Sequence, residues 1–368
     1  MERYFLNTRN IKIVVEHLGD EEKADISRRL AFYCPGSALI MASPVRAYFS
    51  RSPVLIFGVP YALGPFADKV RYGIFDVDYR KNPLDGWNWS GLSGLCMNGK
   101  PDIVHSHQIF CERIEEIQKE NLSKCYIFGT GPTLGKAKDH DWSDGYRVVC
   151  NTIVKNQKLW NHIDPHFIAA GDAIYHFGHT DHAKQFRRDL AERLSESETF
   201  FMYPDLYDPI VHRELESYSD KLIPIPFNFQ KKRIHEDLRK DFFLSGMGNV
   251  LPLLLLPLGC TLSKNIFLWG FDGRAPDDKL FWSNSPAECY PELIGTLKEA
   301  HPAFFDHFVP REDPFKYVRS VHGDILDECM VAAEREGFHF VMMHPSWTPT
   351  LKKRELAARV ILENSSLN

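Results

Sequence analysis

The sequence predicts an α/β protein built on a Rossmann-like parallel sheet, with a smaller α/β unit ahead of it. Three observations carry this. Short apolar runs of strand character alternate with amphipathic helical stretches, the pattern of parallel strands joined by crossover helices. Several runs end in small or polar residues, at Gly129–Thr133, Asn151, Gly171–Asp172 and Gly270–Asp272. The 368 residues are 44% hydrophobic and 25% charged with 23 Gly and 23 Pro, a globular balance that excludes collagen-like, disordered and disulfide-scaffold classes.

A chain of this length suggests about two domains. The boundary is placed near Ser123, giving an N-terminal α/β unit of unassigned role over 1–122 and a Rossmann-like unit over 123–368. In the first unit, strands are expected at Ile11–Glu16, Ala38–Met41, Val54–Phe57 and Ile103–His105, with a turn cluster at Asn82–Gly86. Cys111–Leu122, with Glu112, Glu115, Glu116, Lys119 and Glu120, reads as a polar connecting helix. In the second unit, Lys124–Phe128 runs straight into Gly129, Tyr146–Cys150 ends in Asn151, and Pro165–Ala170 ends in Gly171-Asp172. An apolar helix follows Ser245-Gly246, and the strand Asn265–Trp269 ends in Gly270-Phe-Asp272. Asp324–Glu336 reads as a helix, Phe338–Met342 as a strand and Lys352–Leu362 as a final helix. The basic start and apolar face of that last helix allow peripheral contact with the inner membrane, against the alternative of packing on the sheet.

The formal charge is −5 with no basic block, which disfavours nucleic acid as a partner. The first ten residues, Met1–Asn10, lack the apolar core of a secretory signal. The most apolar run, Val250–Cys260, is broken by Pro252 and Pro257 and is too short to span a bilayer. Eight cysteines lie between Cys34 and Cys329 without a CxxC pair and read as reduced thiols. A cytoplasmic protein is expected.

In open α/β sheets the ligand crevice lies outside the carboxyl ends of the strands, so the small and polar strand ends locate the candidate site. Gly129-Thr-Gly-Pro-Thr133 lies between a strand and a helix start. Glycines there let a backbone approach a ligand, and free N–H groups attract phosphate. It is not the GxGxxG dinucleotide motif, since residue 134 is Leu, nor a P-loop. A tight strand-to-helix turn without a ligand is the alternative. Two histidine groups invite a metal: His105 with His107, on one face if the segment is a strand, and His176, His179 and His182, spaced every three residues. Neither has a Cys or Glu at ligand spacing, and no metal is assigned. Asp277-Asp278 suits Mg²⁺ only in a phosphoryl-transfer reading.

Ile127-Phe-Gly-Thr-Gly-Pro-Thr-Leu134, Val148-Val-Cys-Asn151, Ser245-Gly246 and Leu268-Trp-Gly-Phe-Asp272 occur in this order. In order and spacing the set resembles the bacterial sialyltransferases with a Gly-x-Gly-Pro-Ser/Thr motif. It is also similar to the related 6-hydroxymethylpterin diphosphokinase-like superfamily, which includes the motility accessory factors. The resemblance covers Lys124 to Thr350. It implies a GT-A-like sialyltransferase fold with a lid over about 273–321. It also implies an inverting, metal-independent transfer of an acidic sugar (sialic acid, another nonulosonate or a Kdo-like sugar) from a CMP-activated donor. The acceptor would be a glycan, glycolipid or glycoprotein, as in surface glycan biosynthesis, and no cofactor beyond the CMP-sugar is implied.

Carried over by position, Gly129, Thr130, Gly131, Pro132 and Thr133 would lie under the nucleotide and its phosphate. Asn151 would contact the donor, and Asp172 falls at or beside a second donor-contacting Asn of the family. Ser245 and Gly246 match a Ser-Gly that touches the cytidine ribose, and Gly270 and Asp272 match the Gly-Ile-Asp that opens the lid. The family holds the leaving phosphate with two lid tyrosines. Here Gly273–Trp282 has none, and Arg274 would pair with the phosphate instead. His322 stands in the place of the family's lid-end general base, with His301 and His307 in reserve. His344-Pro-Ser346 follows the last strand. A strand-end His-Pro resembles other sialyl- and Kdo-transferase families, in which the His supports the donor phosphate. The closer family matches only the Pro and a nearby Ser, so His344 and Ser346 are both implied as site residues. The alternatives are a diphosphokinase using ATP with Mg²⁺ on Asp172 or Asp272, and a nucleotide-binding module without turnover.

Overall fold

The computed structural model describes residues 9–15, 18–58, 73–96, 101–273, 287–308 and 324–357, and every strand pairing in it is parallel. The protein is α/β, with a Rossmann-like core. Strands β1 (Asn10–Val15), β2 (Ala38–Met41), β3 (Val54–Phe57) and β4 (Ile74–Asp76) form a sheet in the order β2-β1-β3-β4. Helix α1 (Asp20–Tyr33) starts where the Gly19 N–H donates to Glu22 Oε2 at 2.8 Å, and it buries Ile26, Arg29, Leu30 and Tyr33. Helix α2 (Asp85–Cys96) packs beside it.

Ile103–His105 is not a strand. It is the first turn of α3 (Ile103–Gln118), because the Asp102 carboxylate accepts the His105 N–H at 3.0 Å and caps a helix there. A cap outweighs one apolar pair in a window that short. Nor is this helix a mere connector, for it buries Phe110, Ile114 and Ile117 against the larger sheet.

That sheet contains β5 (Lys124–Phe128), β6 (Tyr146–Cys150), β7 (Phe167–Ala169), β8 (Phe200–Pro204) and β9 (Leu222–Ile225). A two-stranded pair, β10 (Phe227–Asn228) with β11 (Leu244–Ser245), stands apart from it, and β12 (Asn265–Trp269), β13 (His339–Met342) and β14 (Glu355–Leu356) complete it. Its order is β14-β13-β12-β5-β6-β7-β8-β9. The chain leaves β5 towards β6 and returns on the other side as β12, so the strand order switches direction between β5 and β12.

Its central strands are buried on both sides, which is why they read as apolar runs. Alternate residues face opposite layers. Ile127, Val148 and Phe167 join one apolar cluster, while Phe128, Val149 and Ile168 join another that also contains Ile11, Ile13, Leu55 and Phe57. The N-terminal sheet therefore shares a continuous core with one face of the larger one.

The covering helices include α4 (Asp181–Glu196), α5 (Leu256–Leu262), α6 (Ile294–Ala300), α7 (Pro302–Phe308) and α8 (Asp324–Arg335). The expected apolar helix after Ser245-Gly246 opens as a widened π turn, Leu251–Leu255, before α5. Pro257 has no N–H to return to Leu253, and the turn, in which the Leu256 N–H reaches the Leu251 carbonyl, absorbs that missing bond.

The expected C-terminal helix is different. A short helix, Pro349–Lys352, gives way to β14, which pairs with β13, and residues 358–362 lie outside the described ones. Arg354 pairs with Asp327 at 3.2 Å and pulls the chain against α8 after a single turn. Among the described residues no helix is long and apolar enough to cross a membrane.

Candidate functional site

The carboxyl ends of β5 and β12 turn together at the switch in strand order, where α/β sheets form their crevice. The Gly129 N–H donates to the Trp269 carbonyl at 2.7 Å and the Gly131 N–H to the Gly270 carbonyl at 2.8 Å, so the ladder continues past both strands. Gly270 holds a φ of +74°, and a Cβ on it would overlap the Gly129 carbonyl oxygen. A Cβ on Gly131 would overlap the Asp272 carboxylate. These glycines are required by contact between the two turns.

This changes the expected phosphate cradle. The Thr133 N–H and Oγ1 both donate to Asp272, the N–H at 3.2 Å and the hydroxyl at 2.9 Å. The N–H groups of Gly129, Gly131 and Thr133 are thus committed within the protein, and Asp272 occupies the helix start where an anion would sit. Thr130 remains facing the cavity.

That cavity measures about 970 Å³. Of the residues named from sequence, Gly129, Thr130, Gly131, Pro132, Asn151, Asp172, Gly246, Gly270 and Asp272 line it. Thr133, Ser245, His344 and Ser346 do not line it but hold its walls. Ser245 Oγ accepts the Arg233 N–H at 3.0 Å and donates to the Arg233 carbonyl at 2.8 Å. His344 Nε2 accepts the Gly270 N–H at 2.8 Å, and Ser346 Oγ donates to the Phe271 carbonyl at 2.7 Å. Both side chains brace the Gly270–Asp272 turn from behind rather than reaching a ligand. Arg274, Asp277, Asp278 and His322 lie outside the described residues. His301 is fully buried against Asp85 and is not a cavity base, and the exposed His307 does not line the cavity.

Asn151 follows β6 with φ +52°, a left-handed conformation that Asn tolerates better than other side chains. Among the described residues its buried Oδ1 has no hydrogen-bond partner. Such an atom costs about 1–3 kcal/mol unless something satisfies it, and here a ligand N–H or O–H in the cavity can. Next to it, Thr152 Oγ1 donates to the Glu288 carbonyl at 2.5 Å and Asn156 Nδ2 to Glu288 Oε1 at 2.9 Å. Tyr290 Oη donates to Asp189 Oδ2 at 2.5 Å. The segment from Glu288 to Tyr290 is thereby tied down beside the cavity, with the Tyr290 hydroxyl directed away from it.

Asp172, at the end of β7, takes the N–H groups of Ile174 and Tyr175 on Oδ1 at 3.0 and 3.2 Å. Burial pushes its carboxyl up from 3.8 to about 6, against the pull of those two N–H groups. Between about pH 4 and 6 the folded chain keeps a proton that the unfolded chain has released. The stability this confers is complete below about pH 4 and is lost as pH climbs through 6. Asp172→Asn should therefore match the wild type near pH 4 and exceed it by about 3 kcal/mol above pH 6, read as a widening gap in urea midpoints. A constant gap across that range would contradict the shift.

The sequence pattern does not single out Tyr175, Asp205 or Tyr207 as site residues, and it presents His176 and His182 only as candidate metal ligands. Asp205 follows β8, whose Pro204 hides it as a strand, and His182 sits in the first turn of α4. His179 instead packs among Phe32, Tyr33 and His301, so the three histidines share no helix face. His105 and His107 lie on a helix, where His107 bonds the Arg239 carbonyl at 2.9 Å and stacks on Phe242. Among the described residues no group of three or more His, Cys, Asp or Glu is arranged to hold a metal ion. The lining carries Asp172, Asp205 and Asp272 and, among the described residues, no Lys or Arg. No protein-family model matches the chain, and no curated protein matches it.

Proposed function

We propose that the cavity binds a CMP-activated acidic sugar and that the protein transfers this sugar, with inversion, to a glycan, glycolipid or glycoprotein acceptor. The observation that carries the reading is Asn151, whose left-handed backbone and buried amide oxygen, unpartnered among the described residues, meet the cavity at the strand-order switch. Phe227 and Phe229, stacked at 5.2 Å, and Met247 add an apolar wall against which a base can lie. The volume accommodates a nucleotide with a sugar. By the resemblance, Arg274 would meet the donor phosphate, and a lid over about 273–321 would close the site.

A Mg²⁺-dependent diphosphokinase is the second reading. The three aspartates without a lining cation among the described residues favour it, since Mg²⁺ takes oxygen ligands of this kind. The commitment of Asp272 to Thr133 weighs against it.

Incubation with CMP-N-acetylneuraminic acid in EDTA is expected to release CMP. Release of AMP from ATP, only with Mg²⁺ and a pterin alcohol, would replace the first reading by the second. Asn151→Gly keeps the left-handed turn and removes the amide. It should weaken CMP binding about tenfold, or roughly 1.4 kcal/mol, in a calorimetric titration, with the melting temperature little changed. Unaltered affinity would remove Asn151 from the site.

A further inference from the structure

We infer that His182 is the proton acceptor of this cavity and His176 its hydrogen-bond donor, each tautomer being set by a backbone group. The inference rests on the transfer proposed above for its substrate, an acceptor hydroxyl, but the tautomers do not depend on the donor's identity.

A peptide carbonyl can only accept. His182 Nδ1 lies 3.0 Å from the Tyr175 carbonyl oxygen, so Nδ1 carries the hydrogen and Nε2 keeps its lone pair. A peptide N–H can only donate. The Asp172 N–H points to His176 Nδ1 at 3.3 Å, so in that ring Nε2 carries the hydrogen. Both residues line the cavity, and in each ring Nδ1 is the nitrogen engaged with the backbone. The site therefore offers a base and a donor from adjacent imidazoles.

The rings are held as well as oriented. His182 packs edge-on to Tyr175 at 5.3 Å and perpendicular to Tyr290 at 5.2 Å, and His176 lies 4.5 Å from Phe186. Burial, first among the causes, pushes both below the ordinary histidine value, so both are neutral at neutral pH, as a base must be. The titratable groups facing His182 include Tyr175, His176, Tyr290 and Glu292, and Glu292 favours the imidazolium once it forms.

In the step, the acceptor O–H bond breaks and its proton goes to His182 Nε2. The acceptor oxygen bonds the anomeric carbon, and the bond from that carbon to the CMP phosphate oxygen breaks with its electron pair leaving on the phosphate. His176 Nε2–H holds a ligand oxygen throughout.

Two measurements on the full chain test this. Nitrogen-15 spectra of the histidine rings should show His182 protonated at Nδ1 and His176 at Nε2 at pH 7; His182 carrying its hydrogen on Nε2 overturns the inference whatever the donor. With CMP-N-acetylneuraminic acid, His182→Gln should lower CMP release by about 10²–10⁴-fold while CMP affinity stays within twofold. His105→Ala, on exposed α3 surface, should turn over like the wild type. Normal turnover in His182→Gln, with the loss falling on His322→Ala instead, also overturns it. A wild-type chain that releases no CMP defeats the proposed transfer, and the ring spectra still decide the tautomers.

Discussion

Gly270→Ala should cost more than about 3 kcal/mol, enough to deplete the folded protein at 37 °C. Two penalties combine. The position holds φ +74°, which a side chain strains, and the new Cβ would overlap the Gly129 carbonyl oxygen, a backbone atom fixed by the β5–β12 ladder. Relief would require the two turns to part, breaking the bond from the Gly131 N–H to the Gly270 carbonyl and opening the cavity's floor. Gly295→Ala is the control, because α6 leaves nothing within 4 Å of the added methyl. That change should stabilise by about 0.5–1 kcal/mol. Urea unfolding of both variants provides the check, and equal midpoints would contradict the contact argument.

Asp85→Ala should cost about 3–5 kcal/mol, because it strands two buried polar partners. Asp85 is fully buried; it takes Arg29 Nη1 at 3.2 Å and the His301 Nδ1–H at 2.8 Å. Arg29, 1% exposed, also bonds Asp25 at 2.6 Å and the Ala300 carbonyl at 2.7 Å. The network ties α1 and α2 to the junction of α6 and α7, next to Phe304, a residue of the cavity wall. Asp85→Asn retains an acceptor for His301 and should lose less. A loss below about 1 kcal/mol for the alanine variant would show that the network contributes little.

The parts of the fold legible in the sequence are those where a strand is mostly apolar and ends abruptly. Lys124–Phe128, Tyr146–Cys150 and Asn265–Trp269 form with the expected bounds, since burial on both faces imposes apolar side chains and the crevice imposes Gly or Asn at the end. Strands β8 and β9 carry Pro204 and Pro224, and β4 is only three residues long, so neither propensity nor length reveals them. The position of the site was legible for the same reason as the strands. The work of individual side chains was less so. Ser245, His344 and Ser346 are expected at the donor, yet each spends its hydrogen bonds on neighbouring backbone, a direction that sequence order does not encode. His182 enters the sequence pattern only as one of three evenly spaced histidines, and its orientation comes from the Tyr175 carbonyl seven residues earlier, on the irregular path after β7.

The most direct test of the account is the melting temperature of the full chain with CMP in EDTA, set beside ADP, GDP and ATP with Mg²⁺. A ligand that binds only the native state adds about 2.7 kcal/mol at a hundredfold excess over its Kd. The account predicts a rise with CMP that needs no metal and that Asn151→Gly diminishes. No shift with CMP, together with a clear rise for ATP and Mg²⁺, would contradict it.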